Sequence, residues 1–290
     1  MEVQPGTLYV VATPIGNLED CTTRALRLLR EVSVIAAEDT RVTRKLLSHF
    51  DIHTPLVSYH EHSSARRLDS LVARLAAGEN VALVSDAGTP GISDPGSELV
   101  RAALAAGIPV CPAPGPSAVL AALSAGGLDP SRFLFLGFLP RSAGERTQLL
   151  GSVARLPWTL VIYEAPNRVG ATLTALAEAL GDRRAVLARE LTKRFEEFAR
   201  DSLTALAAQY RDAAPRGECV LLVEGATHDP QSVSPADLDA ALQRRFAAGE
   251  SVRDAARAVA GELGLPRREI YARAQEIKER GAASVEEGEG

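Results

Sequence analysis

The side chains best equipped for chemistry gather in one stretch, Ser85-Asp86-Ala87-Gly88-Thr89-Pro90-Gly91-Ile92-Ser93-Asp94-Pro95-Gly96. It offers carboxylates and hydroxyls on a backbone punctuated by glycine and proline. Glycine permits conformations and close approaches that a Cβ forbids, and proline fixes φ and stiffens the chain. The stretch follows the apolar run 80–84, which reads as a buried strand, and precedes 97–104, which reads as a helix. A loop at the carboxyl end of a parallel strand is where open α/β sheets hold ligands. The alternative is a plain connection that caps the next helix. Two aspartates and three glycines exceed what such a connection needs, which favours a ligand loop.

Two further segments have the same character: Thr13-Pro14-Ile15-Gly16 and Pro114-Gly115-Pro116-Ser117-Ala118. Each follows an apolar run. Together they suit an extended, mostly uncharged ligand held by backbone groups in a cleft. Asp39 and Glu38, at a strand end, are the candidate general bases, with Asp94 and Glu190 as rivals; each could instead cap a helix or pair with a cation. Arg41, Arg44 and Lys45 share one helix face and could contact phosphates beside the cleft. Other motifs are missing. No Gly-x-Gly-x-x-Gly follows the first strand, and there is no P-loop and no Gly-x-Ser-x-Gly elbow. His60 and His62 flank Glu61 without further ligands at metal spacing, so no metal site is expected.

The elements that carry these loops alternate. Strands are expected at 7–12, 33–37, 55–59, 80–84 and 108–112, with helices at 22–30, 43–49, 64–77 and 97–106. This argues for an N-terminal α/β domain, residues 1–113, built on a parallel sheet covered on both faces. Strands at 133–138, 158–163, 184–189 and 218–223, with helices at 117–125, 141–153, 167–180 and 202–210, give a second α/β domain, 114–226. After a linker at 228–231, three helices form a helix-turn-helix-like module, 234–281, opened by Ser234-Pro235 and by Ser251 with Asp254. Its last helix, 267–280, carries Arg267, Arg268 and Arg273, offset by Glu269, Glu276 and Glu279; a nucleic-acid face and a merely solvated one are both open. Residues 282–290 read as a disordered acidic tail.

The chain has 290 residues, 46% hydrophobic, and a formal charge of −5, which lowers the prospect of bulk nucleic-acid attraction without excluding a local basic face. No apolar run is long enough to span a membrane and no signal peptide opens the chain. Cys21, Cys111 and Cys219 are scattered, which fits free thiols in a reducing cytoplasm.

The strings Ala12-Thr13-Pro14-Ile15-Gly16-Asn17-Leu18, Ala37-Glu38-Asp39-Thr40-Arg41, the 85–96 loop, Pro114-Gly115-Pro116-Ser117-Ala118, Ala188-Arg189-Glu190-Leu191-Thr192-Lys193 and Arg216-Gly217-Glu218 resemble the tetrapyrrole methylase superfamily, in particular its ribosomal-RNA-methylating branch. The resemblance runs the length of the chain. It implies a class III methyltransferase using S-adenosyl-L-methionine, two α/β domains with the cofactor in the cleft between them, and a homodimer. The branch methylates a ribose 2′-oxygen of a cytidine in the decoding region of 16S ribosomal RNA, here expected on the assembled small subunit. Matching positions imply cofactor contacts at Pro14, Asp86, Thr89, Ser117, Ala118, Tyr163 and Ala188. Where related methylases have Gly-Asp-Pro, this chain has Ser85-Asp86-Ala87, which weakens a tetrapyrrole substrate. RNA contacts are expected at Arg41, Arg44, Lys45, Arg267, Arg268 and Arg273. Two alternatives stay open: a methylase of a small tetrapyrrole-like molecule, and a non-enzymatic ribosome assembly factor.

Overall fold

A computed structural model of the chain describes residues 5–61, 63–227, 235–263 and 265–286, with side chains as far as Lys278. His62, the 228–231 linker, Ser234, Gly264 and residues 287–290 lie outside the described residues. The chain divides into two compact units, Met1–Gly225 and Ala226–Gly290.

The first unit opens with β1 (Leu8–Val11), α1 (Thr23–Glu31), β2 (Val34–Ala37), α2 (Thr40–His49), β3 (Leu56–Ser58), α3 (Ala65–Ala76), β4 (Val81–Val84), α4 (Ser97–Ala105) and β5 (Val110–Ala113). The strands form one sheet in the order β3-β2-β4-β1-β5. Every pairing is parallel, so the loops after β1, β2, β4 and β5 leave from the same edge. The inner strands β1, β2 and β4 are apolar throughout because both their faces are covered. Tyr9, Val11, Ile35 and Val84 meet Leu28, Leu29 and Leu47 on one side. Leu8, Val34, Val81 and Leu83 meet Leu71, Leu75 and Leu99 on the other. Each fully buried leucine contributes roughly 1.5–3 kcal/mol.

The chain continues through α5 (Ala118–Gly126), β6 (Phe133–Phe138), α6 (Ala143–Val153), β7 (Thr159–Glu164), α7 (Val169–Leu180), β8 (Arg184–Arg189), β9 (Glu197–Ser202), α8 (Leu203–Gln209) and β10 (Cys219–Val223). This second sheet, β6-β7-β10-β8-β9, is mixed. Only β6 and β7 are parallel; β10 runs antiparallel to both its neighbours, and β9 antiparallel to β8. One face packs on α6, α7 and α8 through Leu150, Leu173 and Leu206. The other packs on α5 through Val119 and Leu123, and Ile15 from the loop after β1 joins that same cluster. Ile15, with Ala87 from the loop after β4 packed against the same cluster, thus ties the ligand edge of the first sheet to the second. Strand β9 was not expected from the sequence: Glu197, Arg200 and Asp201 break its apolar pattern, as the edge position tolerates.

In the second unit, α9 (Pro235–Ala247), α10 (Val252–Leu263) and α11 (Arg267–Glu286) enclose Leu242, Ala256, Val259, Ile270 and Ala274. Ser251 caps α10, accepting the Asp254 N–H at 3.1 Å and donating to its carboxylate at 2.7 Å. Helix α11 continues to Glu286, so the expected disordered tail is corrected for 282–286. Ala282 and Ala283 are strong helix formers and no proline intervenes.

Candidate active site

The ends of β1 and β4 are clamped together. Thr13 and Gly88 exchange backbone hydrogen bonds at 2.9 and 3.0 Å, and the buried Thr13 hydroxyl donates to the Ser85 carbonyl at 3.1 Å. Gly88 takes φ +75°, which a side chain resists. Around this clamp lie two adjoining cavities, both walled in part by Ile15, Ala87 and Glu218. The first, of about 310 Å³, is lined by Pro14, Asp86, Thr43, Lys45 and Lys193 among others. The second, of about 400 Å³, is lined by Thr89, Asp94, Ser117, Ala118, Tyr163 and Glu164 among others. The expected cofactor residues Pro14 and Asp86 therefore face the first, and Thr89, Ser117, Ala118 and Tyr163 the second. Ala188 lines neither. It is fully buried in the cluster beneath α5 and paired on β10 to Val220, which lines the second cavity.

The carboxylates at this edge are coupled. The Asp39 N–H donates to Asp86 Oδ1 at 3.0 Å, and the Asp86 N–H donates to Glu38 Oε2 at 3.3 Å. Burial, with help from the neighbouring negative charges and against the hydrogen bond from the Asp86 N–H, raises the Glu38 pKa; burial also raises Asp86. Asp94 is pushed up to about 6, by burial first and then by Glu38, against a hydrogen bond from Ser85. Asp39 goes the other way, to about 2, because Arg41 donates to it from both side chain and backbone. Asp39 is the N-cap of α2. A carboxylate held by a guanidinium and capping a helix has little affinity for a proton, which counts against Asp39 as a general base. Glu38 keeps the raised basicity the role needs, and Asp94, in the wall of the second cavity, has it most.

The loop after β8 is bent into a cation site. Glu190 and Thr192 sit at φ +51° and +64°, uncommon for side-chain-bearing residues. The turn brings Lys193 Nζ within 3.0 Å of both Glu190 Oε1 and Glu218 Oε2. Burial alone would depress the Lys193 ammonium, but these bonds outweigh it and hold it above its usual value; Lys193 in turn lowers Glu190. Glu190 is thereby removed as a base. Gly16 and Gly217 make the arrangement possible: a Cβ at Gly16 would fall 2.5 Å from Lys193 Cγ, and one at Gly217 would fall 2.0 Å from Glu190 Oε1.

Sequence reasoning missed Lys193, Glu218 and Glu164 as site residues. The Glu164 side chain is fully buried at the wall of the second cavity, accepting from Thr172 Oγ1 at 2.5 Å and the Ala165 N–H at 2.9 Å, with Arg168 Nε at 3.3 Å. Its only sequence signal was the arginine four residues on.

Of the expected RNA contacts, Arg41, Arg44 and Lys45 line a surface hollow of about 540 Å³ with Ser48 and His49. Lys45 also lines the first cavity, so the basic hollow borders the site. In the second unit, Arg267 and Arg268 line another hollow, but Arg273 does not. Arg273 is forked onto Asp239 at 2.7 and 2.6 Å and bonded to Glu276 at 2.8 Å, so its charge is answered within the module. No cluster of possible metal ligands occurs among the described residues, and no helix among them is long and apolar enough to cross a membrane.

S-adenosylmethionine combines a nucleoside with a positively charged sulfonium, and the residues present fit it. Ile92 and Phe138 offer apolar surface in the second cavity beside the hydroxyls of Thr89, Ser117 and Tyr163. Asp86 and Asp94 bring negative charge to the two cavities. The buried Thr43 Oγ1, in the wall of the first, has no hydrogen-bond partner among the described residues and is free for a ligand.

Comparison with known proteins agrees. Residues 7–207 match the Tetrapyrrole (Corrin/Porphyrin) Methylases, and residues 232–278 match the RsmI C-terminal HTH domain. The chain is 49% identical over 275 residues to ribosomal RNA small subunit methyltransferase I of Synechocystis sp., covering 94% of this chain and 99% of that one. It is 47% identical over 270 residues to the protein of that name from Halalkalibacterium halodurans, covering 92% and 93%. The uroporphyrin-III C-methyltransferase of Thermus thermophilus, solved with S-adenosylhomocysteine, shares the fold at a TM-score of 0.53 and 23% identity, covering 74% of this chain and 96% of that one. The clamp between β1 and β4, the paired cavities and these matches lead to one conclusion: the chain belongs to the tetrapyrrole methylase family of S-adenosylmethionine-dependent methyltransferases, in the branch of ribosomal RNA small subunit methyltransferase I.

Proposed function

We propose that the chain methylates the ribose 2′-oxygen of a cytidine in the decoding region of 16S ribosomal RNA, on the assembled small subunit. The observation that carries this reading is Lys45, shared between the basic hollow of α2 and the cavity that holds Pro14 and Asp86. A phosphate backbone laid on Arg41, Arg44 and Lys45 brings a ribose to the mouth of a methyl-donor site. S-adenosylmethionine supplies an activated methyl group on sulfur. The protein supplies position, the larger part of the acceleration, and a proton acceptor, since a ribose hydroxyl is a poor nucleophile. Asp94, with Glu38 beside it, would accept the hydroxyl proton, while the methyl group would leave its sulfur for the ribose oxygen and S-adenosylhomocysteine would depart. We read 1–113 and 114–226 as the two lobes of the site, and the protein as a cytoplasmic homodimer, which light scattering checks.

The test uses purified protein, labelled S-adenosylmethionine and undermethylated small subunits, with ribose methylation mapped by resistance to alkaline cleavage. Label at one cytidine ribose, lost in Asp86→Ala, is the expected result. Cofactor binding without transfer to subunits or free RNA overturns the RNA reading and leaves a small-molecule methylase or an assembly factor.

A further inference from the structure

Two groups stand out among the arginines of the second unit. Arg245 is tied to Glu250 at 2.9 Å and to Glu262, and Arg273 to Asp239 and Glu276; their charges are answered within the module. The other group is gathered in one place. Arg253 and Arg257, one turn apart on α10, face Arg267 and Arg268, the first residues of α11, across a hollow of about 560 Å³ completed by Ala256 and Tyr271. No carboxylate lines it. Of the four guanidiniums only Arg257 has an ion-pair partner among the described residues, Asp254 at 2.9 Å, and with those side chains 61% and 51% exposed the pair contributes little. The amino terminus of α11 adds its own positive end to the same spot.

Like charges gathered without partners destabilise a small module; the fold gains nothing from this arrangement, and an anion would. All four are arginine, whose planar fork matches phosphate oxygens two at a time. Tyr271, 41% exposed, offers an aromatic face in the same wall. Phosphate forks beside an open aromatic ring suit a strand whose bases are unstacked, because every base has a face to stack and duplexes hide theirs. We infer that this hollow is a second RNA-binding site: Arg253, Arg257, Arg267 and Arg268 hold the phosphodiester backbone of an unpaired segment, and one base stacks on Tyr271. The inference rests on the reading that ribosomal RNA is the substrate. It places part of the grip on that substrate in the second unit, adds Arg253, Arg257 and Tyr271, and leaves Arg273 as a structural residue.

The full-length chain is compared with Arg253→Gln/Arg268→Gln, Tyr271→Leu and Tyr271→Phe, all at exposed positions, after circular dichroism shows unchanged helix content and melting. Binding of a short fluorescent single-stranded RNA is followed by anisotropy across a salt series, and KM and kcat are measured on undermethylated subunits. The double variant is expected to bind RNA roughly tenfold more weakly with a shallower salt slope, and to raise KM while sparing kcat. Tyr271→Leu is expected to weaken binding by roughly tenfold and Tyr271→Phe to restore it. Unchanged RNA binding and KM in folded variants of an enzyme that methylates subunits overturns this inference alone. Equal affinity of the native chain for polyglutamate or duplex DNA also overturns it, pointing to an acidic partner without unpaired bases. If the native chain transfers no methyl group to subunits, the proposed function has failed first.

Discussion

Asp39 and Asp94 stand at the same edge of one sheet, yet one carboxyl is held near 2 and the other near 6. The difference separates their roles. Methyl transfer is expected to fall as pH drops below about 6, following Asp94, and Asp94→Asn should lose most of kcat at pH 7 while still binding cofactor in calorimetry. Stability moves oppositely. The folded pKa of Asp94 lies above its unfolded value, so its contribution is fully present below about 4 and is lost as pH rises through about 6. Asp94→Asn should therefore be more stable than the parent at pH 7, by on the order of 1–2 kcal/mol after allowing for solvent screening, and equal to it at pH 3. Asp39, with its pKa lowered, contributes stability above about 4 that is lost as pH falls toward 2. Asp39→Ala should lower the melting temperature at neutral pH, through loss of the α2 cap, but leave the pH dependence of kcat in place. A kcat that collapses in Asp39→Ala and survives in Asp94→Asn would reverse the two assignments. Residue types and strand ends pointed to these carboxylates, but no spacing rule could rank them, because the ranking depends on Arg41 folding back and on burial of the 85–96 loop.

At the scale of elements, apolar runs and turn signals were enough to place the parallel strands and their helices, most plainly β1, β2 and β4, which are buried on both faces. The loops after β1, β4 and β5 were legible for the same reason. Strand β9 was not: its alternation is charged, and an Arg200 guanidinium over the Phe198 ring, 4.9 Å from its centroid, does work that a buried aliphatic would do inside the sheet. The Lys193 site escaped because it depends on contact at distance, Glu190 and Glu218 being brought together only by the pairing of β8 with β10. Gly217 is where that pairing can be tested. It has φ +83°, and a Cβ there would overlap the Glu190 carboxylate. Gly217→Ala should destabilise the protein by roughly 1–3 kcal/mol and free Lys193 from Glu190, with weaker cofactor binding by calorimetry. Retention of both stability and affinity would show that the Glu190–Lys193 contact has no role in the site.

At the scale of the whole molecule, the charge of −5 conceals two concentrations of basic side chains, one on α2 and one where α10 meets the start of α11. Association with small subunits should weaken steeply with added salt, whereas affinity for S-adenosylmethionine, held in cavities lined mainly by uncharged groups, should change little. Parallel loss of both with salt would remove the electrostatic account of substrate binding. The division at Gly225 was readable from the change of composition around the linker, but the contents of the second unit were read too evenly. Its arginines looked alike in sequence, and only the packing of α9, α10 and α11 shows which are bonded internally.

Strand β1 is the first of its sheet to leave the ribosome, and it is an inner strand: both of its edges stay open until Val81–Val84 and Val110–Ala113 have been made. Antiparallel hairpins can zip as they emerge, but a parallel strand must wait for its crossovers. Throughout synthesis of the first hundred or so residues, the nascent chain therefore carries an apolar ribbon with unsatisfied backbone groups. An arrest after β3 should yield a protease-sensitive chain, and protection should appear abruptly once β5 clears the exit tunnel, not strand by strand.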